Sequence, residues 1–346
     1  MTKGSGPALI AATDSDHERP TLKTIAAATG LAIATVSRAL NDAPDIGEET
    51  KRRVRETASQ LGYRPNRAAL RLRTGKTNVI AVTLSTVSDM SNPSQLIYSI
   101  ADALRGTSYH LVVTPFFPDQ DPMDPIRYIV ETESADGIVL NQTTVNDRRV
   151  RYLSEKGFPF VTHGRTSMGI DHPYFDFDNE SYARIAVRAL HARGRANLLL
   201  VRPPADHSYS VHMTEGFVTE AQNLGLRHEI MDHITSDTPA DDIEAAVLAR
   251  FLRQPQIDGI LTGSPSAAVA AVAGAEKAGK TIGRDFDIVS KEAHSFLRRF
   301  RKEIIVVKED VGRAGAFLSR ALMAAIERRA PERGQYLDRP DQVDLD

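Results

Sequence analysis

The chain has 346 residues, 41% of them apolar, with 43 Lys and Arg against 45 Asp and Glu and neither cysteine nor tryptophan. That length supports two or three domains with a sizeable core, while the lack of cysteine excludes disulfides and thiolate chemistry and leaves zinc only histidine and carboxylate ligands. No apolar run approaches a membrane span, and residues 1–19 lack the apolar stretch of an export signal, so they read as a disordered tail of a cytoplasmic protein.

Residues 20–64 read as a helical headpiece. Thr21 is placed to cap a first helix whose apolar side is Leu22, Ile25, Ala26 and Thr29. Gly30 allows a left-handed turn, and a second helix from Ala32 buries Val36, Ala39 and Leu40, leaving Ile33, Ala34, Thr35, Ser37 and Arg38 on or near its outer side. Asn41 is its stop. A short helix with small polar residues and an arginine outside, packed on a preceding helix, suits the major groove of double-stranded DNA.

The same spacing also occurs in all-helical cores without nucleic acid, but the following residues favour DNA. A third helix from Glu48 to Leu61 has Val54, Ala58 and Leu61 as its stripe, with Lys51, Arg52, Arg53 and Arg55 expected outside. Residues 65–76 start at a proline and are too short and too basic for a stable isolated helix. They are expected to order on DNA as a hinge helix with Leu72 as a wedge. Residues 19–76 carry a net charge of +7, leaving −9 for the rest of a chain whose total is −2. Phosphate neutralisation accounts for that division.

Residues 77–335 alternate short β runs with helices. Strands are predicted at 78–84, 110–114, 136–140, 158–162, 196–201, 229–233, 258–262 and 286–290, with helices at 95–105, 123–133, 148–156, 180–193, 214–223, 241–253 and 267–278. This is a parallel, doubly wound pattern repeated as two lobes, in which ligands sit beyond the carboxyl ends of strands. Residues 336–346 read as a polar C-terminal tail.

Enzyme and cofactor signatures are missing. No Gly-x-Ser-x-Gly elbow or Gly-x-Gly-x-x-Gly loop occurs, and Gly75-Lys76-Thr77 and Gly279-Lys280-Thr281 lack the context of a phosphate loop. Asp119, Asp121 and Asp124 lie among prolines and read as a solvated loop, and the ten histidines are scattered. No catalytic residue, cofactor or metal is expected.

Four blocks carry a family resemblance: Thr-Val-Ser-Arg at 35–38 followed by Leu40 and Asn41, Glu-Glu-Thr-Lys-Arg-Arg-Val at 48–54, Leu-Gly-Tyr-Arg-Pro-Asn at 61–66, and Leu-Arg-Thr-Gly-Lys-Thr at 72–77. Together they resemble the lactose-repressor family of bacterial transcriptional regulators. The resemblance implies an all-α helix-turn-helix headpiece with a hinge helix, then a two-lobed α/β core like that of periplasmic binding proteins, which binds an effector and dimerises. It implies a homodimer on a pseudo-palindromic operator, repressing carbohydrate transport or catabolism genes under control of a small molecule, most often a sugar. A corepressor-dependent regulator or an activator answering a non-sugar ligand fits the same residues. A solute-binding protein would lack residues 20–76.

By that resemblance Ile33, Ala34 and Arg38 read bases, Thr35, Ser37, Asn41 and Asn66 contact the DNA backbone, and Thr21, Tyr63, Ala69 and Leu72 complete the DNA-binding set. The effector set is Ser94, Gln95, His163 and Arg165 from the first lobe, with Met213, Ser264 and Glu292 from the second. The chain departs from the family pattern in several places. Ala32 and Gly47 replace serine caps, a loss costing about 1 kcal/mol at Ala32; Ile33 and Ala34 cannot form bidentate hydrogen bonds; and Leu70 stands for an arginine. Met213 replaces the arginine before Gly216-Phe217, leaving His212 or Arg165 to supply a donor. Ser94-Gln95 replaces the aromatic pair after Asn92-Pro93, leaving Tyr209 and Phe296 as candidates for an aromatic floor. No C-terminal leucine heptad helix is present, which favours a dimer over a tetramer. On the sequence alone, Glu292→Ala is expected to abolish the effector response in a mobility-shift assay while leaving operator binding intact.

Overall fold

The computed structural model describes residues 20–64, 71, 75–85, 91–117, 119–293, 295–329 and 334–340. The chain divides into two compact units, Met1–Lys76 and Thr77–Asp346.

The first unit holds α1 (Leu22–Thr29), α2 (Ile33–Leu40) and α3 (Glu48–Gln60). Thr21 and Thr24 form a reciprocal cap on α1, with the Thr24 amide donating to Thr21 Oγ1 at 3.4 Å and the Thr21 amide to Thr24 Oγ1 at 3.1 Å. Gly30 ends the helix with φ +67°, a conformation that favours glycine. Neither Ala32 nor Gly47 supplies a side-chain cap, although Glu48 and Glu49 in the first turn of α3 complement its dipole. Ile25, Ala26, Val36, Ala39, Val54 and Ala58 make the core of this unit, while Leu22, Leu40 and Leu61 of the predicted stripes pack against it partly buried and Thr29 is half-exposed. Lys51 is the exception among the basic residues expected outside α3. It is buried, with Nζ 2.8 Å from Glu48 and 3.1 Å from Asp42, because two carboxylates replace the water it loses.

The second unit is built on two parallel sheets. The first lobe contains β1 (Val79–Ser85), α4 (Ser91–Ala103), β2 (His110–Phe116), α5 (Met123–Glu131), β3 (Gly137–Leu140), α6 (Arg148–Lys156), β4 (Phe160–His163) and β5 (Tyr174–Phe177). The second contains α7 (Asn179–Ala192), β6 (Asn197–Val201), α8 (Ser208–Asn223), β7 (Arg227–Ile230), α9 (Ala240–Arg253), β8 (Gly259–Thr262), α10 (Pro265–Lys277), β9 (Asp287–Glu292), α11 (Leu297–Phe300) and β10 (Ile305–Lys308). The chain then returns to the first lobe with α12 (Val311–Ile326) and β11 (Gln335–Asp338). Strand orders are β11-β5-β4-β3-β1-β2 and β10-β9-β8-β6-β7. The central strands are buried on both faces, so they read as continuous apolar runs.

Several elements differ from the sequence expectation. α8 starts at Ser208, six residues early, where its polar first turn hides the helical period. β7 pairs Arg227 with Asn197 and ends at Ile230 opposite Leu200; the Met231 amide still donates to the Leu200 carbonyl at 2.9 Å, and His233 then takes a positive φ. The tail expected from residue 336 instead begins inside β11. Tyr336 stacks on Phe175 at 5.2 Å and Arg313 Nη1 holds Asp338 at 2.9 Å, so a polar-looking segment becomes an edge strand.

Close packing of α8 on α7 in the second lobe depends on a glycine. A Cβ built on Gly216 of α8 would lie 2.3 Å from the Glu180 carbonyl oxygen of α7, which backbone cannot avoid by rotating. Gly216→Ala is therefore expected to destabilise the core by about 1–3 kcal/mol, read as a lower urea midpoint at unchanged m-value.

Candidate functional site

Two surfaces bring the sequence-predicted residues together. On the headpiece, Ile33, Ala34, Arg38 and Asn41 are exposed, and Thr35 and Ser37 are half-exposed beside them. Arg38 donates through Nη2 to Asp45, and the Asn41 side-chain amide donates to the Ser37 carbonyl. Thr21 is occupied in capping α1, and Tyr63 packs against the headpiece core. Asn66, Ala69 and Leu72 lie outside the described residues. Arg53 donates to the Thr29 carbonyl at 2.8 Å and so ties α3 to the end of α1.

The second site is a cavity of about 730 Å³, mouth included, between the lobes of the second unit. The chain crosses between lobes twice here, from β5 into α7 and from β10 into α12, so Asp176, Phe177, Asn179 and Glu309 face it. His163 and Ser264 line it. His163 Nδ1 donates to Asn141 Oδ1 at 3.0 Å, which leaves Nε2 free to accept, and burial holds the ring below its ordinary pKa and neutral. Ser264 caps α10, accepting from the Ala267 amide at 3.2 Å and donating to the Ser236 carbonyl at 3.1 Å.

The other expected effector residues stand elsewhere. Pro93 lines the cavity but Ser94 and Gln95 do not, and Arg165 sits behind Asp176 with Nε 3.4 Å from Oδ2. Met213 is fully buried in the core of the second lobe. Glu292 is committed to α11, accepting from the Phe296 and Leu297 amides at 3.1 and 2.9 Å, so removing its carboxylate frees two backbone donors as well as any ligand contact. Phe296 is exposed and stacks on Phe300, away from the cavity.

The sequence reading missed the polar floor of the cavity: Asp176, Asn179, Lys291 and Glu309. Lys291 Nζ donates to Asn179 Oδ1 at 3.0 Å, lies 3.0 Å from Glu309 Oε2, and stands 5.1 and 5.5 Å from the Phe177 and Tyr209 rings. Asp176 Oδ2 and Glu309 Oε2 are close to their cations but off hydrogen-bonding directions, so neither buried oxygen has a hydrogen-bond donor. A signal was available, since Asp176, Lys291 and Glu309 are charged residues at the carboxyl ends of apolar strands.

A second, more open groove shares Gln142 and Asp237 with the cavity. Beside it the lobes are joined by backbone hydrogen bonds. The Ser208 amide donates to the Thr143 carbonyl at 2.9 Å, and the Val145 amide to the Asp206 carbonyl at 3.3 Å. Among the described residues no group of three His, Cys, Asp or Glu is arranged to hold a metal ion, and no helix is long and apolar enough to cross a membrane.

A helix-turn-helix unit followed in the chain by a two-lobed α/β unit with an interlobe cavity defines a ligand-responsive DNA-binding regulator. Residues 21–66 match the family model of bacterial regulatory proteins of the lacI family, and residues 80–309 match that of periplasmic binding proteins and the sugar binding domain of the LacI family. The chain belongs to the LacI family of transcriptional regulators.

Among curated relatives it is 29% identical to the HTH-type transcriptional regulator AglR of Rhizobium meliloti, across 88% of this chain and 87% of that one. It is 31% identical to RafR of Escherichia coli, across 61% and 63%. Among solved structures, the lac repressor dimer bound to operator and the anti-inducer ONPF superposes with a TM-score of 0.81 at 18% identity, covering 94% of this chain and 98% of that one. The CelR–cellobiose complex gives 0.68 at 21% identity, covering 93% and 98%. These two likenesses establish the fold.

Burial raises the Asp176 carboxyl from 3.8 to about 7, opposed by Arg165 and Lys291 and reinforced by Glu309 and Asp178. Between about pH 4 and pH 7 the folded protein therefore holds a proton that the unfolded chain has released, and this group's contribution to stability falls as pH rises through that window. Asp176→Asn should gain stability relative to the wild type on going from pH 5 to pH 8, checked by thermal melts of both proteins at the two pH values.

Proposed function

We propose that the protein is a homodimeric repressor of carbohydrate transport or catabolism genes, acting by binding rather than catalysis, and that a neutral, hydroxyl-rich sugar in the interlobe cavity controls its hold on a pseudo-palindromic operator. The observation that carries the ligand class is the pair of buried carboxylate oxygens without hydrogen-bond donors, Asp176 Oδ2 and Glu309 Oε2. Sugar hydroxyls donate to such acceptors, and Tyr209 offers a ring face beside them. Lys291 is already engaged by Asn179 and Glu309, which argues against a phosphate or carboxylate ligand needing a free cation. The cellobiose bound by CelR is consistent with this class.

A second copy of the chain is the proposed cover for exposed apolar side chains on both lobes. These are Tyr98, Val112 and Val113 on the first lobe, with Leu252 and the stacked Phe296 and Phe300 on the second. Sedimentation at micromolar concentration is expected to give a dimer, and a monomer would remove that part of the proposal.

The functional test is capture of genomic DNA by the purified protein, followed by mobility shift of the best site with a panel of sugars. Enrichment of one pseudo-palindrome beside sugar transport genes, released by one sugar, is the expected result. A sugar that tightens binding would make the protein a corepressor-dependent regulator, and no response to any sugar would overturn the ligand class.

A further inference from the structure

We propose that Asp45 is a specificity-determining residue that converts Arg38 from a phosphate anchor into a base reader. The two exposed leading side chains of α2, Ile33 and Ala34, present only carbon to a base edge. Of the exposed and half-exposed residues of α2, Arg38 alone has the forked donors that can bind guanine O6 and N7 together. A lone exposed arginine, however, is drawn equally well to any phosphate, which gives affinity without sequence information.

Asp45 changes that choice. It accepts from Arg38 Nη2, leaving the remaining guanidinium donors for a base. Its loop is held in place. Ile46 packs on the headpiece core, the Ala43 amide donates to the Arg38 carbonyl at 3.0 Å, and Asp42 is held by Lys51 at 3.1 Å and Arg55 at 2.8 Å. The carboxylate therefore meets Arg38 from a fixed point.

Stability does not explain the pair. Its side chains are 57% and 47% exposed, and ion pairs that open to water contribute little to folding. A carboxylate on a phosphate-facing surface also weakens attraction to all DNA. Holding Arg38 in a base-reading pose offsets that loss, because an arginine already fixed by a carboxylate loses less freedom on meeting guanine.

The test uses the full-length protein, its captured operator, and operator variants with each base pair changed in turn. The pair read by Arg38 is the one whose change no longer matters in Arg38→Ala. Wild type is expected to discriminate there by about five- to 150-fold, the range of one good bidentate contact. Asp45→Ala and Asp45→Asn are expected to cut that ratio to about threefold or less while binding of random duplex stays level or rises, and Asp45→Glu restores part of the ratio. Far-ultraviolet circular dichroism of each variant checks the headpiece fold, and Asp45→Asn, which keeps the size of the side chain, decides the matter if Asp45→Ala unfolds. Retained discrimination in Asp45→Asn, with affinity raised equally on every sequence, would overturn the proposal and leave Asp45 as a repulsive charge only.

Discussion

The ammonium of Lys291 is the contact on which the organisation of the core depends. It lies at the end of β9, buried, and binds Asn179 at the first crossing between lobes and Glu309 at the second. An ammonium in that position is tolerable only with partners, since an isolated buried charge costs far more than a domain's net stability. The requirement works in both directions. Lys291 fixes where the two crossing segments pass each other, and they in turn hold it between the Phe177 and Tyr209 rings. The cavity floor is thus cross-linked across the segments that any relative movement of the lobes must bend.

The headpiece solves the same problem with fewer residues. Six small buried side chains make its core, too few for a large margin, and two of its three helices lack a side-chain cap. The Asp42–Lys51–Arg55 cluster and the Arg53–Thr29 contact fasten α3 to the preceding loop and to α1. Lys51 shows why: both neighbouring carboxylates hold its pKa above the usual lysine value, Glu48 foremost, so it stays charged and keeps both partners.

Period and punctuation made most of the fold legible in the sequence. Gly30 and Gly157 end helices in the left-handed region, and the apolar runs 137–140 and 259–262 are the buried strands they resemble. What escaped was set by distant partners. Nothing local marks Gln335–Asp338 as a strand, because its support comes from β5 and Arg313. The cavity follows the same rule. His163 and Ser264, offered by the family resemblance, line the cavity, whereas Glu292 is engaged by the α11 amides and Met213 faces its own core. Asp176 and Lys291 lay outside every predicted strand, and only the meeting of two crossing segments brings them to one cavity floor.

On the proposed function, that meeting also sets the energy scale for regulation. A buried oxygen without a donor costs roughly 1–3 kcal/mol, and allosteric couplings between ligand and partner sites fall in about the same range. Asp176 belongs to the first lobe's sheet and Glu309 to the segment leaving the second, so a ligand hydroxyl pair that satisfies both does so fully only when the lobes hold this arrangement. Such a ligand binds one arrangement more tightly than the others, which is the differential affinity a population shift requires. One or two recovered hydrogen bonds are enough. On the proposed reading, regulation needs no large rearrangement of contacts, only a floor whose acceptors are left without donors by the protein itself.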